Sequence, residues 1–294
     1  YRGKEEQTHF LPGIDTVGVS SPIDGDEIYS GANILGNWSN VHSNVSTSDT
    51  RFYVDYISRK TTNLLHQKRL TFDLDYQNQV RLNDRNDLIW GAGYRFFKDW
   101  IDEYTLSNGE QYLNYEPEKS YNSLLSAFVQ NDYEVIPDKL SFILGSKFSY
   151  NYFTDFEIQP NARLAWYPTE KQTFWAAVSR AIRIPTRGER GLSSIALSTG
   201  GGFVRQSARG ERDYDSEKLL AFELGHRINP VSWLSLDTAL FYNEYDELRT
   251  FETGVSGFNT PNTLFEIVAS NSGYAETFGG EIAANITVNP NWRL

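Results

Sequence analysis

The stretch Thr71–Leu82 reads TFDLDYQNQVRL, and its alternation is typical of a β-strand with two unlike faces. Together with the preceding Leu70, one parity carries the apolar side chains Leu70, Phe72, Leu74, Tyr76, Val80 and Leu82. The other parity carries the polar side chains Thr71, Asp73, Asp75, Gln77, Gln79 and Arg81. Asn78 alone interrupts the apolar file. An apolar face of this length meets either the core of a soluble protein or the hydrocarbon of a membrane.

The same period-two alternation recurs along nearly the whole chain and predicts about eleven strands. In each predicted strand the alternating apolar residues start at one of the following positions: Ala32, Phe52, Leu70, Leu88, Leu125, Leu140, Ile158, Trp175, Leu220, Leu234 and Phe278. In the eighth strand the predicted file is Trp175, Ala177 and Ala181. A twelfth strand is predicted to begin at Trp292. No helical pattern competes with these strands, so the predicted fold class is all-β.

The connections between the predicted strands alternate between short and long. The short ones are rich in Pro, Asn and Asp, as tight turns require, and they are Leu82–Asp87, Val135–Lys139, Tyr167–Gln172, Ile228–Ser232 and Val288–Trp292. The long polar ones are Lys98–Ser120, Pro185–Asp215 and Thr250–Ser272. Alternate connections of an up-and-down antiparallel sheet lie at opposite ends, so one end is predicted to carry tight turns and the other long loops. The connection Phe153–Asp155 is an exception, because it is short although it falls at the end where long loops are predicted.

The composition excludes several classes of function. The 294 residues carry a net charge of −11, which argues against a nucleic-acid partner. The chain has no Cys, and its four His residues show no metal-ligand spacing, so we predict no metal and no cofactor. No hydrolase, phosphate-loop or zinc-protease motif occurs, and we predict that the chain is not an enzyme. No apolar run reaches the 18 residues of a spanning helix, which leaves strands as the only membrane spans available.

Two interpretations of the apolar faces remain at this point. Bacterial outer-membrane barrels have tight periplasmic turns, long outer loops and aromatic girdles, and their strands are apolar towards lipid and polar towards the lumen. Aromatic residues near the predicted strand ends fit such girdles: Trp90, Tyr150, Tyr152, Trp166, Trp175 and Tyr242. The alternative is a soluble antiparallel sandwich or large barrel whose apolar faces pack on one another. Periodicity alone does not distinguish the two.

A resemblance to a known family favours the membrane barrel. Phe128–Asn151 reads FVQNDYEVIPDKLSFILGSKFSYN, and Phe156–Gly191 reads FEIQPNARLAWYPTEKQTFWAAVSRAIRIPTRGERG. Later segments read SEKLLAFELGHRINP, LFYNEYDELRT and NSGYAETFGGEIAANITVNPNWRL. In their order and spacing these segments resemble the middle and late barrel strands of TonB-dependent outer-membrane receptors. The resemblance covers most of the chain after about Asp49.

The resemblance implies a barrel of twenty-two antiparallel strands around a plug, located in the bacterial outer membrane. It also implies active uptake of a scarce ligand such as an iron–siderophore complex, energised by the TonB complex through the plug. We expect residues 1–294 to be a partial barrel of about eleven to twelve strands, with the plug domain and the C-terminal strands absent. Outer-membrane lipid is the further expected partner. The alternatives are a soluble or surface all-β ligand-binding protein, such as a carbohydrate-binding protein, and an ungated porin.

Two groups of side chains are candidate ligand contacts. Arginines cluster near the start of the long loop and again within it, and such a set could bind an anionic ligand through bidentate contacts. The first cluster is Arg180, Arg183, Arg187 and Arg190, and the second is Arg205, Arg209 and Arg212. Alternatively, these arginines pair with acidic neighbours such as Glu189, Glu211 and Glu217 on a solvated loop. An aromatic platform could form from Trp100, Tyr104, Tyr112 and Tyr115, although loop packing explains these rings equally well. The strand glycines, such as Gly91 and Gly225, indicate either strand curvature or the close approach of a lumen neighbour.

The face assignment yields a first prediction. Leu74→Arg places a charge on the lipid side, where it costs about 2–4 kcal/mol at mid-bilayer, whereas Asp75→Arg lies on the wet side. Leu74→Arg should therefore reduce the folded fraction in outer membranes far more than Asp75→Arg, as measured by heat-modifiable electrophoretic mobility. Equal and mild effects of the two substitutions would contradict the assignment.

Overall fold

The structure, a computed structural model, describes residues 2–11, 21–62, 64–105, 113–199, 203–259, 262–289 and 292–293. Its elements in chain order are β1 (Arg2–Leu11), β2 (Ser21–Ser43), β3 (Ser46–Thr61), β4 (Leu65–Asn83), β5 (Asn86–Glu103), β6 (Leu113–Tyr115), β7 (Lys119–Ile136), β8 (Leu140–Asn151), β9 (Asp155–Thr169), β10 (Gln172–Arg183), α1 (Arg187–Gly191), β11 (Leu192–Thr199), β12 (Phe203–Arg209), β13 (Glu217–Val231), β14 (Leu234–Asn259), β15 (Asn262–Asn289) and β16 (Trp292–Arg293). Within these ranges no helix has the length and apolar character needed to cross a membrane.

The strands form one continuous antiparallel wall. Its order is β1-β2-β3-β4-β5-β7-β8-β9-β10-β13-β14-β15, and β16 pairs with β15. The eleven predicted strands are confirmed as β2 to β5, β7 to β10 and β13 to β15, and the predicted start of the twelfth is β16. The sequence analysis missed β1, which pairs with β2 along ten residues. In the described part of the chain, β1 and β16 do not pair with each other.

The wall has two unlike faces, as the alternation predicts. One row of paired residues crosses six strands and is entirely apolar: Phe52, Leu74, Tyr94, Leu125, Tyr150 and Phe156. The adjacent row points to the opposite side and is polar or small: Arg51, Asp75, Gly93, Ser126, Ser149 and Glu157. We call these sides the apolar face and the charged face. Every side chain of the apolar row is exposed, from 40% at Leu74 to 59% at Phe156.

Burial in this structure is the inverse of burial in a soluble protein. Among the described residues, four hydrophobic side chains are buried, compared with thirteen polar or charged ones. The buried polar set includes Asp99, which is 0% exposed, and Asp73, which is 5% exposed. A soluble sandwich would need its apolar faces packed together, because their burial supplies most of the folding free energy. The apolar face is therefore suited to a hydrocarbon environment.

Ion pairs between neighbouring strands line the charged face. Arg69 makes two hydrogen bonds to Asp99, of 2.6 and 3.1 Å. Arg95 pairs with Asp73, and Arg51 lies 2.6 Å from an Asp75 oxygen. Since both partners of each pair come from strands that are already hydrogen-bonded, these contacts hold the register of β3, β4 and β5. The buried carboxylates Asp73 and Asp99 of the charged face are consequently paired rather than isolated.

One predicted face is wrong. The sequence analysis placed Trp175 on the apolar face, but Trp175 pairs with Ala165 and Gly225 on the charged face. Its neighbour Phe174 lies on the apolar face, where it packs against Trp166 at 5.5 Å between ring centroids. Both parities of β10 are apolar at this point, so alternation could not decide between them. Trp175 is thus an aromatic ring of the charged face and does not belong to a lipid girdle.

The strand glycines next to such rings are explained by close approach. A Cβ atom built on Gly225 would lie 2.2 Å from the Trp175 indole, and one on Gly91 would lie 2.5 Å from the Phe128 ring. In both cases the ring comes from the neighbouring strand and lies on the charged face. The absence of a side chain therefore makes room for a lumen-side ring, the second of the two interpretations left open by the sequence.

The two ends of the wall differ as predicted, although the long connections contain more structure than expected. Tight turns join β4 to β5 and β9 to β10, and the link after β8 is short. The expected loop Thr250–Ser272 is instead largely an extension of β14 and β15, which pair up to Asn259 and Asn262. The expected loop Pro185–Asp215 contains α1, β11 and β12. Polar residues form strands here because the extended chains satisfy one another's backbone groups.

Gly225 and Trp175 provide a test of this packing. Gly225→Ala should destabilise the wall by about 1–3 kcal/mol, because the new methyl group overlaps the indole ring. In a Trp175→Ala background the same substitution should cost little, since the overlapping ring is gone. The free energy of unfolding in urea, measured for both single variants and the double variant, gives the coupling. Strictly additive effects would mean that the ring does not pack on the glycine.

Candidate functional site

The long connections of the wall add three short strands to the same sheet at the loop end, beyond β15. β12 runs parallel to the upper part of β15, β11 pairs with β12, and β6 pairs with β11. Helix α1 joins this sheet, because Glu116 N–H donates to the Gly191 carbonyl at 2.9 Å. Glu211 N–H likewise donates to the Glu189 carbonyl at 2.9 Å. We call the assembly of α1, β6, β11 and β12 the loop-end cap.

Helix α1 begins with a capping box. The Glu189 N–H donates to the Thr186 hydroxyl at 3.3 Å, and the Thr186 N–H donates to the Glu189 carboxylate at 2.8 Å. This reciprocal arrangement satisfies backbone donors that a helix otherwise leaves unpaired at its start. The spacing Thr186-x-x-Glu189 is visible in the sequence and could have predicted the helix, which the strand patterns around it obscured. The capping box places the Glu189 carboxylate over the charged face.

Glu189 is the centre of an ion-pair network that ties the cap to the wall. Arg183 at the end of β10 donates to both Glu189 oxygens, at 2.8 and 3.0 Å. The same guanidinium donates to both oxygens of Glu217 on β13, at 2.7 and 2.6 Å. Arg249 on β14 adds a third strand through a 3.3 Å contact to Glu189. Four separate elements therefore converge on two carboxylates.

The protonation state of Glu189 follows from these contacts. Burial alone would raise the pKa of Glu189, whose side chain is 7% exposed. The hydrogen bonds from Arg183 and Thr186 outweigh this effect and lower the pKa to about 2. Glu189 is accordingly ionised at neutral pH, and both of its oxygens are occupied.

Arg187 and Arg190 also contact groups of the protein, on either side of Glu189. Arg190 donates to the carbonyl of Phe153 and lies over the Phe153 ring at 5.4 Å. Arg187 donates to the carbonyl of Pro117 and lies over the Tyr115 ring at 5.4 Å. Burial lowers the pKa of Arg187. Its Nε and Nη1 atoms are buried, and no acceptor in the described ranges satisfies them. Arg187 thus retains unused donor capacity within the cap.

The arginines of the β11–β12 hairpin and its exit lie on the surface of the cap. Arg209 pairs with Glu211 at 3.1 Å and with Glu266 at 3.2 Å. Arg212 pairs with Glu116 at 3.1 Å, and the Arg212 side chain is 80% exposed. Arg205 lies in β12, but its side chain falls outside the described residues. The pairing with acidic neighbours that the sequence left open is thus present at Arg183, Arg209 and Arg212.

The structure places the described aromatic candidates in different surroundings. Trp100 lies on the apolar face, in the same paired row as Lys68 and Lys119. Tyr104 follows β5, is 43% exposed and donates its N–H to the Leu64 carbonyl. Tyr115 packs beneath Arg187 within the cap, whereas Tyr112 lies outside the described residues. Among the described residues, Trp100 on the apolar face and Tyr115 in the cap do not belong to one platform. The assignment of the aromatic residues as ligand contacts stays a prediction.

A seam between β9 and β10 lies beneath the cap. The backbone pairing of these strands ends at Asn161 and Ser179, although both strands continue towards the loop end. Side chains bridge the seam instead: Arg180 donates to the Ile158 carbonyl and lies 3.6 Å from Glu157. Near the top of the seam Ser216 Oγ, which belongs to a fully buried residue, lies 3.1 Å from Thr154 Oγ1.

Charged side chains dominate the described part of the loop end. Within the described part of the chain no group of His, Cys, Asp or Glu residues could hold a metal ion. The cap instead presents guanidinium groups, some locked in internal pairs and others in exposed pairs that water reaches. Exposed ion pairs contribute about 0–1 kcal/mol, so an anionic ligand can displace them at low cost.

The Glu189 network yields the next prediction. Glu189→Gln should weaken the attachment of α1 to the wall by about 1–3 kcal/mol, because Arg183 and Arg249 lose a buried, charged acceptor. Glu211→Gln on the same loop is the matched control and should have a smaller effect, since its pair with Arg209 is exposed. Hydrogen exchange of the α1 amides measures both variants.

In the unsubstituted protein, the contribution of Glu189 is present above its ordinary pKa of 4.5. Because the folded-state pKa is depressed, protection of α1 should fade as the pH falls from about 4.5 towards 2. The Glu189→Gln variant should not show this acid-dependent loss. Equal protection of the Glu189→Gln and Glu211→Gln variants would contradict the central role of Glu189.

Comparison with known proteins places this arrangement in a family. The family described as TonB dependent receptor-like, beta-barrel matches residues 18–294. The structure of the siderophore receptor PirA from Pseudomonas aeruginosa matches with a TM-score of 0.66 and 16% identity, over 91% of this chain and 51% of that one. The FrpB iron transporter from Neisseria meningitidis matches with a TM-score of 0.65 and 15% identity, over 98% of this chain and 46% of that one.

A third solved structure, PirA from Acinetobacter baumannii, matches with a TM-score of 0.60 and 13% identity, over 89% of this chain and 51% of that one. At such identities the likeness concerns the fold, and no curated protein sequence matches the chain. The chain spans about half the length of the solved receptors that it matches. The family match and the shared fold agree with the two-faced antiparallel wall, and the chain belongs to the β-barrel family of TonB-dependent outer-membrane receptors.

Proposed function

We propose that the protein acts in the bacterial outer membrane as a TonB-dependent transporter that takes up a scarce ligand such as an iron–siderophore complex. The observation that carries the proposal is the two-faced wall, together with the arginine-rich cap at its loop end. The names of the solved relatives support it, because PirA is a siderophore receptor and FrpB is an iron transporter.

In this proposal the apolar face contacts lipid and the charged face lines an aqueous lumen. The residues of this chain supply part of the barrel wall, and further strands complete the barrel around a plug. The plug would couple the lumen to the TonB complex at the periplasmic side, where the tight turns lie. The ion pairs of the charged face keep the lumen polar and the wall rigid while a ligand passes. The role of this chain is therefore transport, with no catalytic step.

The ligand contacts proposed here are the exposed arginines of the cap. Arg209 and Arg212 are accessible, and their carboxylate partners hold them only weakly. A guanidinium group binds carboxylate or catecholate oxygens of an anionic ligand in a bidentate manner. By contrast, Arg183 is saturated by Glu189 and Glu217 and serves to position the cap. Arg205, Arg187, Arg190, Trp100 and Tyr104 remain secondary candidates.

The two alternative functions, a soluble carbohydrate-binding protein and an ungated porin, make different demands on the wall. A soluble carbohydrate-binding protein would need an apolar core, whereas the large side chains of the apolar face are exposed. An ungated porin would have the same two-faced wall but would conduct small solutes without energy input. Dependence of uptake on the TonB complex separates a transporter from a porin.

The experiment is uptake of radioactive iron presented as ferric siderophores, in iron-starved cells that express the complete protein. We expect accumulation that requires both the protein and a functional TonB complex. Arg209→Gln combined with Arg212→Gln should reduce binding of an anionic ferric siderophore by about tenfold, the loss of roughly 1.4 kcal/mol. Tryptophan fluorescence quenching of the purified protein measures that affinity.

The matched control is Arg85→Gln, which removes one exposed arginine from the tight turn between β4 and β5. Its affinity and uptake should equal those of the unsubstituted protein. Uptake that continues without TonB, together with solute leakage in liposomes, would favour the porin. If the double variant binds the ferric siderophore as tightly as the unsubstituted protein, Arg209 and Arg212 are not ligand contacts. The transport proposal is then still tested separately by uptake.

A further inference from the structure

A basic patch lies on the apolar face near the loop end, although the chain as a whole is acidic with a net charge of −11. Four lysines from four adjacent strands compose it: Lys60 on β3, Lys68 on β4, Lys98 on β5 and Lys119 on β7. The pairing register brings them together, because Ser58 pairs with Lys68, Lys68 with Trp100, and Trp100 with Lys119. We call this group the outer lysine patch.

The patch lies just above the apolar belt of the wall. On β4 the belt runs from Val80 to Leu70, which is ten residues at about 3.3 Å each along the strand. At a strand tilt of about 40° this length corresponds to about 25 Å of height, the thickness of the apolar band of an outer-membrane barrel. Lys68 is the next residue on the same face beyond Leu70. Its ammonium group therefore belongs at the level of the lipid headgroups of the outer leaflet.

Aromatic rings hold part of the patch in place. Lys98 Nζ lies 4.6 Å from the centre of the Trp100 ring and 4.6 Å from the centre of the Tyr121 ring. Trp and Tyr are the residues that membrane proteins place at the headgroup level. The two cation–π contacts orient the Lys98 side chain across the face and reduce its conformational freedom before any ligand binds.

The patch retains an excess of positive charge. Asp102 is its acidic member, and its carboxylate lies 3.4 Å from Lys68 Nζ. In the described part of the chain, Lys60, Lys98 and Lys119 make no ion pair with an acidic side chain. Three ammonium groups in an acidic protein are thus left facing the side on which anionic lipid headgroups lie. Each Lys in such a cluster contributes about 1 kcal/mol to the binding free energy for anionic lipids.

We infer that the outer lysine patch is a binding site for the phosphate groups of an outer-leaflet lipid. Adjacent strands lie about 4.8 Å apart, so the four strands spread the lysines over about 14 Å. That width exceeds a single phosphate and suits a headgroup carrying two. The inference rests on the proposed outer-membrane location, but it does not depend on the ligand taken up or on the TonB complex.

The test measures lipid binding to the complete protein, purified in a neutral detergent, by native mass spectrometry. The probes are bisphosphorylated lipid A, monophosphoryl lipid A and phosphatidylcholine. We expect bisphosphorylated lipid A to bind most tightly. The Lys68→Gln/Lys98→Gln variant should lose about 30-fold in affinity for it, which corresponds to ~2 kcal/mol at 1.4 kcal/mol per factor of ten.

The matched control is Lys139→Gln/Lys171→Gln, which removes the same charge from the tight turns at the opposite end of the wall. Its affinity for lipid A should be unchanged. Heat-modifiable mobility of both variants establishes that they are folded. Equal losses in the two variants, or no loss in the Lys68/Lys98 variant, would overturn the site.

Two further outcomes concern the nature of the ligand. Equal binding of phosphatidylcholine and lipid A would mean that the lysines extend into the headgroup region without recognising phosphate, which overturns the inference. Displacement of lipid A by inorganic phosphate at equal concentration would assign the site to free phosphate rather than to lipid. Because the assay contains no siderophore and no TonB complex, its failure is distinguishable from failure of the transport proposal.

Discussion

The hydrogen bonding of the backbone between neighbouring strands is the constraint on which the rest of this structure depends. Hydrocarbon offers no partner to a backbone N–H or C=O group, so a strand in lipid must be paired on both sides. The continuous order from β1 to β15 meets this requirement within the wall, except along the upper part of β9 and β10, where the ladder between them stops. Once the backbone is paired in this way, each side chain must face either lipid or lumen, and the alternation of residue types follows.

The charged face shows the second consequence of that pairing. Residues opposite one another on adjacent strands are held about 5 Å apart, so a charge on one strand selects its partner on the next. Arg69 with Asp99 and Arg95 with Asp73 are partners of this kind. Where the row is aromatic instead, as at Trp175, the neighbouring strand supplies a glycine. On the charged face, the residue found at one position therefore depends on the residue opposite it on the neighbouring strand.

The sequence was sufficient to predict the wall because its strands are long and their faces differ. TFDLDYQNQVRL contains enough alternating positions to assign both faces of β4. β10 was assigned incorrectly because Phe174 and Trp175 are both aromatic, and the decision between them comes from the neighbouring strands. Strands β11 and β12 escaped prediction since their pairing with β15 and β6 joins residues far apart in the sequence. The start of α1 was predictable from its capping box, but the partners of Glu189 on β10 and β14 were not.

The seam between β9 and β10 shows how the cap and the wall depend on each other. Above Asn161 and Ser179 the backbone ladder stops, and Pro160 on β9 has no N–H to donate. Arginines donate to carbonyls at and next to the seam: Arg180 donates to Ile158 on β9, and Arg190 of α1 donates to Phe153 in the turn that precedes β9. Because Arg190 belongs to the cap, the position of α1 is part of what satisfies this portion of the wall. A displacement of the cap would therefore leave the Phe153 carbonyl without its arginine partner, so the cap stabilises the turn at this end of the wall.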